Sequence, residues 1–82
     1  MRQPVVLITG AAGEIGHTLI TRIAAEKTAK IITLDLKPLE EQLAPLVSRQ
    51  FTGSILEKET LDTILAEYEV DRIYHLAALL ST

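Results

Sequence analysis

The chain has 82 residues, 48% of them apolar, and a formal net charge of −3, so we treat residues 1–82 as one small domain. The acidic balance argues against nucleic acid or a membrane surface as a partner, and the lack of cysteine excludes disulfides and zinc–thiolate sites. Neither a signal peptide nor an apolar run long enough to cross a membrane is visible, which predicts a cytoplasmic protein. We assign no metal-binding residue.

The first predicted element is a strand, Val5 to Ile8, that reads as an unbroken apolar run. Such a run is typical of a strand buried on both faces of a parallel sheet. It leads into three glycines spaced G-x-x-G-x-x-G. Gly10 can take the sharp turn, Gly13 lets the backbone approach a pyrophosphate, and Gly16 allows a helix to pack closely. The alternative is a loop that merely needs positive φ.

The second predicted strand runs from Lys30 to Leu36 and contains Asp35 near its end. An acidic residue about 20 residues after the glycines can accept hydrogen bonds from an adenosine ribose. It also favours NAD over NADP because a carboxylate repels a 2′-phosphate, although the nearby Lys37 could soften that preference. The alternative is an ordinary turn residue at the end of a strand.

The remaining pattern predicts a β-α-β-α-β-α-β order, which is one wing of a doubly wound parallel sheet. Apolar spacing places Ile15 and Leu65 on the buried stripes of their helices, and Ile73 in the core. His17 and Glu14 are predicted to face solvent. The expected elements are helices over 14–27 and 57–68, one or two helical turns over 40–47, and strands over 48–52 and 70–78.

The chain reversal expected in such a sheet brings the end of the fourth strand next to the end of the first. The glycine turn would then face Leu76, Ala77 and Ala78 across a crevice. The two alanines either leave room for a flat ring or a ribose, or they reflect tight core packing. The sequence leaves both interpretations open.

The motifs TGAAGEIG, LDL and VDRIYHLAALLST resemble the amino-terminal part of the extended short-chain dehydrogenase/reductases, the NAD-dependent epimerase/dehydratase proteins. The resemblance covers essentially the whole chain and implies a Rossmann-like α/β fold with NAD as cofactor. It implies that the three glycines line the pyrophosphate, with Glu14 and Ile15 beside it at the helix start. It also implies that Asp35, followed by Leu36, binds the adenosine ribose.

The same resemblance implies that Ser54 and Ile55 flank adenine, and that Leu76, Ala77 and Ala78 contact the cofactor near the nicotinamide ribose. Ser54 stands where the family commonly has an acidic residue. The run from Ala78 to Ser81 also resembles the threonine 3-dehydrogenase branch. The family's substrates are small molecules, here a nucleotide sugar or a hydroxy or amino acid, and its members are typically dimeric, which leaves a homodimer possible.

The family's catalytic Tyr-x-x-x-Lys pair is missing from the sequence, because Arg72 follows Tyr68 at that spacing and Ala78 follows Tyr74. We therefore assign no catalytic residue and expect a fragment that lacks the catalytic half. The leading hypothesis is the NAD-binding portion of an oxidoreductase that transfers hydride to or from a substrate hydroxyl carbon. The alternatives are a non-catalytic dinucleotide-binding or regulatory module, and a structural α/β domain without a ligand.

Overall fold

The computed structural model describes residues 3–76. They form four strands, two helices and one 3₁₀ turn. The strands are β1 (Val5–Thr9), β2 (Lys30–Asp35), β3 (Arg49–Thr52) and β4 (Arg72–His75); the helices are α1 (Glu14–Glu26) and α2 (Lys58–Glu67); the 3₁₀ turn is Ala44–Leu46.

The four strands form one parallel sheet in the order β3-β2-β1-β4. The chain therefore moves outward from β1 through β2 to β3 and then returns to the other side of β1. This confirms the predicted doubly wound α/β fold. It also explains why all five residues of β1 are buried, since β1 has a neighbour on each side and a packed layer on each face.

The two faces of the sheet are covered by different helices. Val6 and Ile8 point towards α1 and pack with its Ile20 and Ile23. The alternate residues of β1, Val5 and Leu7, pack with Ile64 of α2 and with β2 on the opposite face. This division follows from the period of two in a strand, which sends successive side chains to opposite faces.

Three elements are shorter in the structure than the sequence predicted. The predicted helical turns over 40–47 reduce to the 3₁₀ turn, because Pro45 has no N–H to donate. The second strand ends at Asp35, so Leu36 lies outside the sheet and is 70% exposed. The fourth strand is only four residues long, and the part predicted over 77–78 lies outside the described residues.

Three residues assigned to the core are more than half exposed: Ile15, Leu65 and Ile73. Ile15 borders a cavity at the start of α1 instead of the sheet. On α2 the contact with the sheet centres on Ile64, and Leu65 is turned about 100° away from it. Ile73 lies on the outer strand β4, where the described residues cover it only in part.

Candidate functional site

The glycine turn begins at Gly10, directly after β1. Gly10 has a φ of 72°, a conformation that residues with a Cβ rarely adopt. Its N–H donates to the carbonyl oxygen of Leu34 in β2 at 2.8 Å. The turn is therefore anchored to the neighbouring strand at its first residue.

The same turn is packed tightly against α1 at Gly16. A Cβ built on Gly16 would lie 2.0 Å from the carbonyl oxygen of Ala11 and 2.6 Å from its carbonyl carbon. Those distances leave no room for a side chain, so glycine at this position allows the helix to approach the turn. The sequence predicted close packing of Gly16 on the strand, and the structure gives this contact to Ala11 in the turn instead.

Gly13 has different surroundings. It is the N-cap of α1, with a φ of −84° that any residue can adopt, and a Cβ added there would meet no described atom within 4 Å. No side chain among the described residues caps this helix end. Gly13 lines a cavity of about 260 Å³ together with Gly10, Glu14, Ile15, Gly16 and Leu76. The start of α1 therefore has no side-chain cap among the described residues and borders this cavity.

Asp35 lies at the end of β2, beside the glycine turn. One carboxylate oxygen, Oδ2, accepts a hydrogen bond from the N–H of Ala12 at 3.0 Å, and Oδ1 accepts one from the N–H of Lys37 at 3.0 Å. The carbonyl oxygen of Asp35 accepts a third bond, from the N–H of Gly53, at 3.0 Å. Asp35 therefore contacts the three loops that follow β1, β2 and β3.

The predicted adenine contacts lie on the loop that begins at Gly53. Ser54 uses its hydroxyl locally, accepting a bond from the N–H of Leu56 at 3.0 Å, and its carbonyl oxygen accepts the N–H of Glu57 at 3.1 Å. Ile55 packs against the core on the α2 side. Both residues are half-buried, whereas Leu36 is largely exposed.

The crevice has its predicted walls, as far as the described residues reach. Gly10 follows β1, Leu76 follows β4, and both line the same cavity. Ala77 and Ala78 lie outside the described residues. Glu14 is exposed, as predicted, whereas His17 is half-buried, with its Nδ1 4.0 Å from Oε2 of Glu40.

Two contacts near the site have no clear signal in the sequence. The hydroxyl of Thr9 and Nδ1 of His75 lie 2.7 Å apart and join the carboxyl ends of β1 and β4, where these residues are register partners. The contact between Ala12 and Asp35 depends on the path of the turn. The contact between Thr9 and His75 could have been predicted only if the register of β1 with β4 had been known.

A second cavity of about 380 Å³ lies at the opposite end of the sheet. It is lined by Pro4, Val6, Ile23, Glu26, Thr28, Ala29, Asp71, Arg72 and Tyr74. A hydrogen bond to the Tyr74 hydroxyl, at 3.3 Å, raises the pKa of the exposed Arg72 side chain above its usual value. This end of the sheet contains none of the residues predicted to bind a cofactor.

Comparison with known proteins identifies the family. A family described as polysaccharide biosynthesis protein matches residues 6–81. The chain belongs to this family. A curated relative, UDP-glucose 4-epimerase of Haemophilus influenzae, is 32% identical over 83 aligned positions, which cover 90% of the chain and 24% of the epimerase. The resemblance to epimerase/dehydratase-type short-chain dehydrogenase/reductases is confirmed.

Two solved structures share the fold. L-threonine dehydrogenase from Clostridium difficile superposes with a TM-score of 0.70 at 24% identity, over 92% of this chain and 24% of the dehydrogenase. MoeE5, solved with UDP-glucuronic acid and NAD, gives a TM-score of 0.65 at 26% identity, over 87% of this chain and 21% of MoeE5. The chain thus spans about a quarter of the length of the relatives it matches. Among residues 3–76, no helix is long and apolar enough to cross a membrane.

Proposed function

We propose that residues 1–82 form an NAD-binding domain and that the glycine turn holds the cofactor. The protein would be the cofactor-binding portion of an NAD-dependent epimerase, dehydratase or dehydrogenase that acts on a nucleotide sugar. MoeE5 was solved with NAD and a nucleotide sugar, and the epimerase relative is named for UDP-glucose.

One observation supports the proposal above all: a glycine with free space beside it lies near an aspartate at the end of the neighbouring strand. Gly13 leaves space where a Cβ would point into the cavity, and Asp35 lies on the neighbouring strand. Uncapped N–H groups at a helix start favour a phosphate, and a carboxylate favours ribose hydroxyls. These residues fit a dinucleotide.

The remaining residues would then have distinct binding roles. The N–H groups from Gly10 to Gly16 would hold the pyrophosphate, with Glu14 and Ile15 beside it. Leu36, Ser54 and Ile55 would surround the adenine end, and Leu76, Ala77 and Ala78 the nicotinamide ribose.

Bound NAD would supply the hydride chemistry: the oxidised form accepts a hydride from a substrate hydroxyl carbon, and the reduced form donates one. The chain contains no Tyr-x-x-x-Lys pair to move the accompanying proton. We therefore propose that the 82-residue chain binds the cofactor and does not turn it over. Reproducible NADH oxidation by the pure chain would contradict this.

A fluorescence titration with NADH, repeated with NADPH, tests the binding proposal. We expect saturable binding with a preference for NADH, and a loss of at least about tenfold in affinity for Gly13→Val and for Asp35→Ala. Asp62→Ala, on the exposed side of α2, is the control for the change in charge. Equal affinity for the wild type and Gly13→Val would mean that the cofactor does not occupy the glycine turn.

One observation favours a second candidate, a threonine dehydrogenase-like function. L-threonine dehydrogenase is among the structures that share this fold, and the run from Ala78 to Ser81 resembles that branch. Addition of UDP-glucose or of L-threonine to the chain with NADH separates the two, because only a true substrate should change NADH affinity.

Location and assembly complete the proposal. We propose that the protein is cytoplasmic and that it forms a homodimer, as members of the family typically do. Sedimentation velocity across a range of concentrations tests the dimer, and a single monomeric species throughout would contradict it.

A further inference from the structure

We infer that Asp35 is also a positioning residue, which holds the glycine turn in its binding shape before any ligand arrives. The inference deepens the proposed function and rests on it only for the consequence for NAD. The structural part depends on hydrogen bonds within the chain itself. It assigns Asp35 a second role beside the expected contact with ribose.

The glycine turn is fixed at both ends by means other than Asp35. At its start, the N–H of Gly10 bonds to the main chain of β2, and at its end Gly16 packs against Ala11. Between these points, the N–H of Ala12 donates to Oδ2 of Asp35 at 3.0 Å. This side-chain contact ties the middle of the turn to β2, and hydrogen bonds to charged groups are stronger than neutral ones.

The other carboxylate oxygen fixes the orientation of the Asp35 side chain. Oδ1 accepts the N–H of Lys37 two residues on, a local turn that aspartate commonly forms. The carboxylate is therefore held between two backbone donors and cannot rotate without losing one of them. The orientation of Asp35 and the path of the turn are coupled.

The carboxylate still has capacity for a ligand. An ionised carboxylate offers about four acceptor positions, and the two backbone N–H groups use two of them. Two remain for the two hydroxyls of a ribose. One residue can therefore hold the turn and accept the ribose together. Asparagine cannot, because its amide nitrogen is a donor that would face one of the backbone N–H groups.

The experiment measures amide hydrogen exchange by NMR in the ligand-free 82-residue chain, for the wild type, Asp35→Asn and Asp35→Ala. We expect the Ala12 amide to exchange at least about tenfold faster in Asp35→Ala, because a charge-assisted hydrogen bond is lost. The Gly10 amide, bonded to the main chain of Leu34, should change little. Asp62→Asn serves as the charge-matched control, and protection of the β1 amides shows that each variant is folded.

Each outcome decides the inference. Unchanged exchange at Ala12 in both Asp35 variants overturns it, even if NADH binding is lost, because Asp35 would then act on the ligand alone. Faster exchange at Ala12 supports it, and restoration of protection in an Asp35→Glu variant would strengthen it. Faster exchange without NADH binding by the wild type would refute the proposed function while the structural role of Asp35 stands.

Discussion

The two inner strands and the two outer strands of the sheet differ sharply in burial. Every residue of β1 and four consecutive residues of β2 are buried, whereas no residue of β3 or β4 is buried among the described residues. Each inner strand has a neighbouring strand on both sides, whereas each outer strand has one among the described residues. The inner strands also have a packed layer on each face, so stability should reside in the inner pair.

The largest expected effect compares two isoleucines on the same face of the sheet. Ile32→Ala, at a fully buried position of β2, should lower the free energy of unfolding by about 4 kcal/mol. Ile73→Ala, at a position of β4 that is 54% exposed, should cost less than about 1 kcal/mol. Urea denaturation followed by circular dichroism measures both, and equal losses would contradict the contrast.

A second pair of substitutions compares two glycines in the turn that follows the inner strand β1. Gly16→Ala forces a Cβ onto the Ala11 backbone, and after the gain in helix propensity it should cost about 2 kcal/mol. Gly13→Ala meets open space and should change stability by less than about 0.5 kcal/mol. Thermal unfolding checks both; a destabilised Gly13→Ala would show that the space above Gly13 is filled by the chain itself.

A third substitution tests the link between an inner strand and an outer strand at their amino ends. The N–H of Val5 donates to Oδ2 of Asp71, and the N–H of Asp71 donates to the carbonyl oxygen of Val5, both at 2.8 Å. Asp71→Ala leaves the buried N–H of Val5 without that acceptor and should cost about 1.5 kcal/mol. Asp71→Asn keeps an acceptor oxygen and should recover part of the loss in the same denaturation assay.

The smallest effect lies at the carboxyl ends of the same two strands. Thr9→Val keeps the shape of a buried side chain and removes its bond to His75, which should cost about 1 kcal/mol. The ring resonances of His75 in NMR spectra should shift at the same time. No change in either measurement would mean that the contact does not join β1 to β4.

The contrast between strands also explains how much the sequence could predict. The runs VVLI and IITL are typical of strands covered on both faces, and the ends of both strands were predicted within a residue or two. The outer strands carry mixed residues, because solvent-exposed positions impose little pattern. Ile73 therefore suggested a core position that the described structure does not give it.

The candidate site also has features that the sequence predicted and features that it did not. The sharp turn at Gly10 and the position of Asp35 at the end of a strand were predictable, because a glycine follows one apolar run and an aspartate ends the next. The contact of Asp35 with Ala12 was not, since a main-chain N–H leaves no mark in the sequence and any residue could supply it. The bond between Thr9 and His75 required the strand register.

We propose above that NAD binds at the carboxyl ends of β1 and β2. Two-dimensional NMR of the ¹⁵N-labelled chain, titrated with NAD, tests it most directly. We expect the largest shifts at the amides from Gly10 to Gly16, and smaller shifts at the amides of Asp35 and Ser54. Saturable shifts confined to the opposite cavity, around Thr28 and Arg72, or no shifts at all from folded protein, would contradict it.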